Sequence, residues 1–499
     1  MRIYKIIAFI SFFFFSSLLY PTTHNHSATF ARIHPKDVRK LLLYASLYPE
    51  TKEGKQALDQ AWTVLAGEKQ STPLPADFAH IALSFLSLIE PVNTPSVLPP
   101  ETITCINALC SHLPNRQLKG RSVKSIDEVL ALDDSEIDLS TALLLAEPNR
   151  ESIEASLDLL ALQIHGQNAH EKISAINNLL FHELNIKYPA LSEAEERVSE
   201  FSELSSVFSS RRGICLGTSV LYLALAQRVG LNLTVFTPPG HVFVGYKEHG
   251  NTRVIETTAR GTHIPLKHYL GPNLHNVPTQ SLKQVVGMAA FNQGGQCLRN
   301  GDYNIAQEKY DLAYRFSPND GTGMMRSLCL LLRGKTRESQ KLAYYWLCNL
   351  APEKREPDLL LVDLATGNLS QESAQQIVKL SSTKKENLLE SIKKLEIMHT
   401  SNSWTIPMQL AEWWLNLGKP REALSLLEKL TARKEAQASI HFLLASLYRE
   451  RMNYPKAWEQ ATLAIQKSVQ PYPKPLYDLL IELQKESPTN IDPGLPIPL

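Results

Sequence analysis

The sequence predicts a multi-domain α+β protein in which a helix-rich domain, built as a helix followed by an antiparallel sheet, is joined to a C-terminal array made only of helices. Three observations support this class. The chain has 499 residues and is 43% hydrophobic, enough for several folded domains of roughly 150 residues each. Glycine is scarce, at 22 residues, and Leu and Ala recur at helical spacing, which excludes an all-β protein. Only residues 231–258 show the alternation typical of strands.

Charge and cysteine content exclude several functional classes. The 51 Lys and Arg residues balance the 50 Asp and Glu residues, so no bulk field favours nucleic acid or an acidic membrane. Six cysteines are too few for a disulfide scaffold and lack CxxC pairs, and no HExxH, P-loop or GxGxxG motif is present. We therefore expect neither a metal nor a cofactor, and we expect most cysteines to be buried as small apolar residues.

Residues 1–31 have the layout of a signal peptide or an N-terminal anchor. Arg2 and Lys5 precede an apolar run over residues 6–19. The run is shorter than the roughly 20 residues that span a bilayer, although counted from Ile3 it could act as an uncleaved anchor. The sequence thus predicts an exported protein, either periplasmic or held at the membrane by its N-terminus.

Two helical stretches come next. Residues 32–120 carry amphipathic spacing, for example at Leu41, Leu42 and Ala45, and we interpret them as a helical preface whose first helices end at the Pro-rich residues 98–102. A second domain is predicted over residues 121–285. Its first part carries helical patterns over residues 153–164 and 173–184.

The sequence pattern of the second domain changes after residue 205. Residues 220–229 predict a mostly buried helix, and Gly230 stands where a left-handed C-terminal cap belongs. Three strands are then predicted over residues 231–237, 241–247 and 252–258. The order is a buried helix followed by an antiparallel sheet.

Cys215, His241 and Glu256 are the candidate catalytic residues. Cys215 opens the buried helix two residues after the Arg211-Arg212-Gly213 segment, so the helix dipole and two nearby guanidinium groups are expected to favour its thiolate. A thiolate is a nucleophile, and a histidine steered by a carboxylate is the base that such a nucleophile needs.

The hairpin register decides whether His241 and Glu256 can meet. A turn centred on residues 247–250 or on 248–251 places both side chains on one face of the sheet, whereas a three-residue turn places them on opposite faces. The alternative for the three residues is purely structural: a buried thiol at a helix start, a histidine that caps a strand, and a solvated hairpin carboxylate.

Three segments carry a resemblance to a known family. They read RRGICLGTSVLYLALAQRVGLNL, TPPGHVFVGY and VIETTARG, and together they resemble the transglutaminase-like (papain-like) superfamily, with Cys215, His241 and Glu256 at the positions of its Cys, His and acidic residue. The resemblance implies a papain-like fold and thiol chemistry on amide bonds. The superfamily usually has Asp at the third position, so Glu256 departs from its pattern.

A closer resemblance adds the upstream segments IDLSTALLLAEPNRESIEASLDLLALQI and NNLLFHELNI. With them the chain is similar to the SirB-type bacterial proteins, which join such a domain to tetratricopeptide repeats. Many of those proteins have a segment similar to RRGIPISLSLLY and no cysteine at the nucleophile position. Cys215 departs from that form and agrees with the catalytic superfamily.

Residues 288–486 are predicted to be a tetratricopeptide-repeat array. Small residues at Gly294, Ala306 and Ala313 are followed by Pro318, with Pro352 lying 34 residues further on. A second set repeats at the same 34-residue interval, namely Ala411 and Ala423 with Ala445 and Ala457. Tryptophans in this region are interpreted as packing residues: Trp404, Trp413, Trp414 and Trp458. Residues 355–400 have no assignable repeat register, and residues 487–499 are predicted to be disordered.

Two functions from different classes remain open. In the first, the protein is an exported thiol enzyme that cleaves or transfers an amide-linked acyl group of a peptide or protein, and its repeats bind the substrate or a partner. In the second, the transglutaminase-like domain is catalytically inactive and the protein is a scaffold whose repeats bind a protein segment.

Overall fold

The computed structural model describes residues 26–66, 74–75, 77–87, 97–190, 193, 197–238, 240–248, 251–269, 277–350, 356–380, 385–398, 402–468 and 474–487. Most of the predicted signal segment and all but the first residue of the predicted disordered tail lie outside them, as does Pro352. Within this described part, no helix is both long and apolar enough to cross a membrane. The chain divides into two compact units, residues 1–116 with 151–165 and residues 117–150 with 166–499.

Eleven helices are described ahead of the sheet. They are α1 (His26–Phe30), α2 (Val38–Leu47), α3 (Lys52–Ala66), α4 (Phe78–Ser87), α5 (Pro100–Leu109), α6 (Ile126–Ala131), α7 (Leu139–Leu143), α8 (Arg150–Ala161), α9 (Ala169–Asn177), α10 (Leu204–Ser210) and α11 (Cys215–Arg228). Helix α9 continues directly into a π-helical turn over Asn178–Glu183.

The first unit is all-helical. Helix α2 packs against α3 and α4 and buries Leu41 and Leu42 completely. Residues 151–165, which fall inside the predicted 121–285 domain, belong to this unit. Asp158 in α8 is fully buried and forms an ion pair with Arg116, which compensates the cost of burying its charge.

The proline-rich segment begins a helix rather than ending the helical stretch. Pro100 is the first residue of α5. Proline fits this position because the first helical residue needs no backbone N–H for the helix and its φ is already helical. Residues 98–102 were expected only to end the first helices. They also begin the next one, which was not predicted.

The second unit contains a four-stranded antiparallel sheet. Its strands are β1 (Thr234–Phe236), β2 (Phe243–Glu248), β3 (Asn251–Ile255) and β4 (Thr279–Gln280), in the order β3-β2-β1-β4. Strands β2 and β3 pair Glu248 with Asn251, so the hairpin turn is the one centred on residues 248–251. This confirms one of the two registers that place residues 241 and 256 on one face.

The strands are shorter than predicted. His241 lies two residues before β2, and Glu256 follows β3 and caps the 3-10 turn Thr257–Ala259. The prediction that both residues lie within strands is therefore wrong, because the Pro-Pro-Gly segment and the 3-10 turn end the ladder earlier. Strand β4 carries no alternating pattern and was not predicted.

Helix α11 packs against strand β2 and against helices α7, α9 and α10. Nearly all of its residues are buried, and Gly230 after it has φ +66°, which confirms the predicted left-handed cap. Gly217 in its first turn faces the Phe201 carbonyl, and a Cβ built there would lie 2.0 Å from that oxygen. Only glycine therefore lets this end of α11 approach so closely.

The C-terminal region of the second unit is all-helical. Its helices are α12 (Leu282–Asn300), α13 (Tyr303–Phe316), α14 (Asp320–Leu332), α15 (Thr336–Cys348), α16 (Leu359–Thr366), α17 (Gln371–Leu380), α18 (Lys385–Ile397), α19 (Thr405–Asn416), α20 (Pro420–Thr431), α21 (Ala438–Glu450), α22 (Tyr454–Lys467) and α23 (Lys474–Glu486). Helices α16, α17 and α18 lie within residues 355–400, for which no repeat register could be assigned from the sequence.

Consecutive helices of this region pack in pairs over small residues. Helix α12 packs on α13, α14 on α15, α19 on α20 and α21 on α22. The alanines that repeat in the sequence are fully buried: Ala306, Ala313, Ala411, Ala423, Ala445 and Ala457. Trp404, Trp414 and Trp458 are also buried, and Trp413 packs against the same core, so all four contribute to packing.

Candidate active site

Cys215 is the first residue of α11 and is partly exposed. In the first turn of a helix the backbone N–H has no partner within the helix, so this end of α11 presents donors around the thiol. The Arg212 guanidinium, which was expected to favour the thiolate, forms an ion pair with Glu193 at 2.8 Å.

The imidazole of His241 lies between Cys215 and Glu256. Its Nε2 is 2.8 Å from Oε2 of Glu256. The Cys215 side chain lies close enough to the same ring to raise its pKa. Since Nε2 is engaged by the carboxylate, Nδ1 is the nitrogen that remains for the sulfur. The structure thus brings together all three residues singled out in the sequence.

The Glu256 carboxylate is almost completely buried and accepts four hydrogen bonds. Oε1 accepts from the backbone N–H of Thr258 at 3.0 Å and from its hydroxyl at 2.6 Å. Oε2 accepts from His241 and from the hydroxyl of Tyr269. Burial by itself would raise the pKa of Glu256, but the bonds from His241, Thr258 and Tyr269 lower it to about 2. The carboxylate is therefore ionised at neutral pH.

The His241 imidazole is biased toward its charged form. Its burial by itself lowers the pKa, but hydrogen bonds with Cys215 and Glu256 outweigh that effect and raise the pKa to about 9. At neutral pH the ring is thus an imidazolium held against a carboxylate. Such a ring favours a thiolate beside it and has a proton to give to a leaving group.

The position of Glu256 just after β3 lets its carboxylate reach the His241 ring. It lies just past β3, at the start of the 3-10 turn, and Thr258 two residues later fixes one of its oxygens.

Sequence reasoning missed three residues of the site. Thr258 and Tyr269 hold the carboxylate, and Tyr188 lies near the thiol, since burial and then the charge of Cys215 raise the pKa of the Tyr188 hydroxyl. The Glu-Thr-Thr sequence at 256–258 is a signal for a side-chain cap at a turn. Tyr188 and Tyr269 carry no local signal, because only the tertiary fold brings them to the site.

A cavity of about 270 Å³ adjoins these residues. Its lining includes Lys187, Tyr188, Thr258 and Arg260, together with Thr218 of α11. Thr218 lies about one helical turn after Cys215 and Thr258 is bonded to Glu256, so these two residues connect the cavity to the site.

The cysteines differ from expectation. None is in a disulfide among the described residues, but only Cys110 and Cys329 are buried, Cys348 is exposed, and Cys105, Cys215 and Cys297 are intermediate. The prediction that most are buried is therefore wrong. Burial nevertheless raises the pKa of Cys105 and Cys297, and raises that of Cys329 to about 12. In the described residues, no group of three or more His, Cys, Asp or Glu side chains could hold a metal ion.

Part of the chain is similar to a known protein family. No curated protein matches the chain. Residues 149–270 match the family model described as the transglutaminase-like superfamily, and this range contains Cys215, His241 and Glu256. The chain therefore carries a transglutaminase-like domain.

Proposed function

We propose that Cys215, His241 and Glu256 form the catalytic triad of a thiol acyl-transfer enzyme that acts on amide bonds of a peptide or protein. One observation carries the proposal: a single imidazole is shared between the thiol of Cys215 and the buried carboxylate of Glu256. This is the arrangement of nucleophile, base and orienting group that thiol acyl transfer requires.

The reaction would run in two halves. Cys215 Sγ attacks the amide carbon, the S–C bond forms, and His241 gives its proton to the amine as the C–N bond breaks. The amine leaves and a thioester remains on Cys215. Water or a second amine then attacks the thioester, gives a proton to His241, and displaces the thiolate as the S–C bond breaks.

Two donors near Cys215 can stabilise the oxyanion that forms in each half. The backbone N–H of Cys215 lies in the first turn of α11 and has no partner within the helix. The hydroxyl of Tyr188 is the second donor that we assign, because this side chain lies near the thiol and lines the adjoining cavity. Its loss in Tyr188→Phe is expected to slow amide turnover by about 10².

Selective alkylation tests the triad without a known substrate. With iodoacetamide at pH 6, Cys215 is expected to react ahead of the other five thiols, including the exposed Cys348, and His241→Ala is expected to slow only Cys215. Equal and slow labelling of all six thiols would contradict the proposal. Profiling with a library of electrophilic amides, comparing the parent with Cys215→Ala, would then identify the acyl group.

The C-terminal helices favour a second activity, partner binding. We propose that they form a tetratricopeptide-repeat array that binds a protein segment, because buried alanines recur 34 residues apart at paired helices. If the six thiols label equally, this scaffold function would stand alone. If Cys215 labels selectively, the array would present a substrate or partner to the thiol enzyme.

We further propose that the protein is exported and of the SirB type. The support is the basic and apolar layout of residues 1–31 and the order of segments from residue 137 to the repeats. Fractionation of expressing bacteria tests the location. Recovery of the full-length chain in the cytoplasm would contradict it.

A further inference from the structure

The cavity lined by Tyr188, Thr218 and Thr258 also carries two cations, Lys187 and Arg260. Among the described residues that line it there is no Asp or Glu. In the described part of the chain neither Lys187 Nζ nor the Arg260 guanidinium has an ion-pair or hydrogen-bond partner. Two carboxylates of this region already have partners: Glu256 is bonded to the His241 imidazole, and Glu193 forms an ion pair with Arg212.

The backbone of Lys187 is bonded to the segment that precedes α11. Its backbone N–H donates to the Arg211 carbonyl at 3.0 Å, and its carbonyl accepts from the N–H of Gly213 at 3.1 Å. These two bonds join Lys187 to the segment that leads directly into Cys215. The position of this cation is therefore set by the same backbone that places the nucleophile.

Arg260 has a left-handed backbone conformation, which is costly for a residue with a side chain. Its φ is +57°, and Gly261 after it has φ +75°. A buried network holds this turn: Asn177 Nδ2 donates to the Gly261 carbonyl at 3.3 Å, and the hydroxyl of the fully buried Tyr222 donates to Asn177 Oδ1 at 3.0 Å. The Gly261 N–H also donates to the Glu256 carbonyl at 2.8 Å.

The backbone bonds of Lys187 and of the Arg260–Gly261 turn connect both cations to the proposed triad. Each cation projects from a backbone segment tied to a member of the proposed triad, and the two meet in one cavity with hydroxyl-bearing Tyr188 and Thr258. Uncompensated cations in a concave site attract and orient anions. A carboxylate fits both a guanidinium and an ammonium, and it would bring its own acyl group to the thiol.

We propose that the cavity is the acyl-donor subsite and that it selects substrates carrying a carboxylate next to the amide that Cys215 attacks. This inference rests on the proposed thiol chemistry and adds the substrate class to it. The carboxylate could be an acidic side chain or a free C-terminal α-carboxylate, because both present the same group to Lys187 and Arg260.

Three alkylating probes of nearly equal size test this selection on the full chain. Iodoacetyl-glutamine amide is neutral, iodoacetyl-glutamic acid α-amide carries a side-chain carboxylate, and iodoacetyl-glutamine carries an α-carboxylate. At Cys215 we expect at least one anionic probe to react about tenfold faster than the neutral one. At the exposed Cys348 of the same chain we expect no such preference. Whichever anion reacts faster identifies the source of the carboxylate.

Variants then assign the preference to the two cations. Lys187→Gln and Arg260→Gln should each lower the ratio of anionic to neutral rates, and the double variant should bring it to about one. Arg260→Lys should retain most of it. Lys247→Gln is the matched control, because it removes one exposed cation from β2 that does not line the cavity, and it should leave the ratio unchanged.

The outcomes separate the two proposals. If the neutral probe labels Cys215 in a His241-dependent way but the parent shows no preference for either anion, the thiol site stands and the carboxylate subsite is wrong. If the anionic preference persists in the double variant, the assignment to Lys187 and Arg260 is overturned. If labelling does not depend on His241, the proposed triad itself fails.

Discussion

The ring of Tyr269 lies nearly parallel to the imidazole of His241, with 13° between their planes and 5.9 Å between their centroids. The same tyrosine packs on Phe243 and donates its hydroxyl to Glu256. Tyr269, which follows the 3-10 turn Leu266–His268, thus supports both the position of the base and the charge of the residue that orients it.

The two roles of Tyr269 can be separated. In Tyr269→Phe the ring contact remains but Glu256 loses one donor, so the carboxylate binds the imidazolium more tightly and the pKa of His241 should rise above about 9. In Tyr269→Ala the ring contact is also lost, and iodoacetamide labelling of Cys215 should slow by about tenfold, equivalent to roughly 1.4 kcal/mol. Histidine NMR titration and labelling rates measure the two effects. A lower His241 pKa in Tyr269→Phe would contradict this account.

Stability of the second unit should depend on pH through the His241 and Glu256 pair. The pKa of His241 rises from 6.5 to about 9, so its contribution is complete below pH 6.5 and is lost as the pH rises through 9. The pKa of Glu256 falls from 4.5 to about 2, so its contribution is complete above pH 4.5 and is lost as the pH falls through 2. Both contribute fully between these limits, at pH 4.5 to 6.5.

His241→Ala tests this window. At pH 5.5 it should lower the free energy of local unfolding around α11 by about 1.5–3 kcal/mol, the range for hydrogen bonds to charged groups. Above pH 9 the difference from the parent should shrink. Hydrogen exchange of backbone amides in residues 215–228 measures it, and a difference that grows between pH 6.5 and 10 would be the wrong sign.

Two neighbouring glycines of α12 should respond oppositely to alanine. A Cβ at Gly294 would lie 3.0 Å from the Tyr310 ring, whereas at Gly295 it would lie 3.6 Å from the Tyr310 hydroxyl. Gly294→Ala should destabilise the helical region by about 1–3 kcal/mol through overpacking. Gly295→Ala should stabilise it by up to about 1 kcal/mol, because alanine favours the helix. Thermal unfolding followed by tryptophan fluorescence compares the pair, and equal shifts would refute the close approach of α12 and α13.

Asp363 joins α16 to the start of α19. It is fully buried and accepts hydrogen bonds from the Ser403 hydroxyl at 2.7 Å and from the N–H groups of Trp404 and Thr405, the latter at 2.8 Å. Asp363→Ala leaves these donors buried without a partner and should cost at least about 3 kcal/mol.

The matched control for Asp363 is Asp358→Ala. Asp358 is exposed and caps α16 by accepting from the N–H of Leu360 at 2.8 Å. Loss of a surface cap should cost only about 0.5–2 kcal/mol. Urea unfolding of both variants gives the comparison, and a smaller loss in Asp363→Ala than in Asp358→Ala would show that the buried cap does not hold the two helices.

Local pattern was sufficient for the helix that carries Cys215. The buried α11 and its Gly230 cap follow from spacing within a few residues, because helix caps are set locally. For the hairpin, local pattern left more than one turn open, and the structure selected the turn over residues 248–251. Pattern was less reliable at strand ends, where Pro-Pro-Gly and the turn after Glu256 shortened the ladder.

The sequence by itself determined the helix-rich class, the order of helix and sheet, and the three candidate residues Cys215, His241 and Glu256, since these depend on residue type and short spacing. Only the tertiary structure decided what surrounds them. Tyr188, Lys187 and Tyr269 reach the site from segments without periodic or motif signals, and Arg212 forms an ion pair with Glu193. Contacts between distant segments depend on how the backbone folds in space, and no local pattern encodes them.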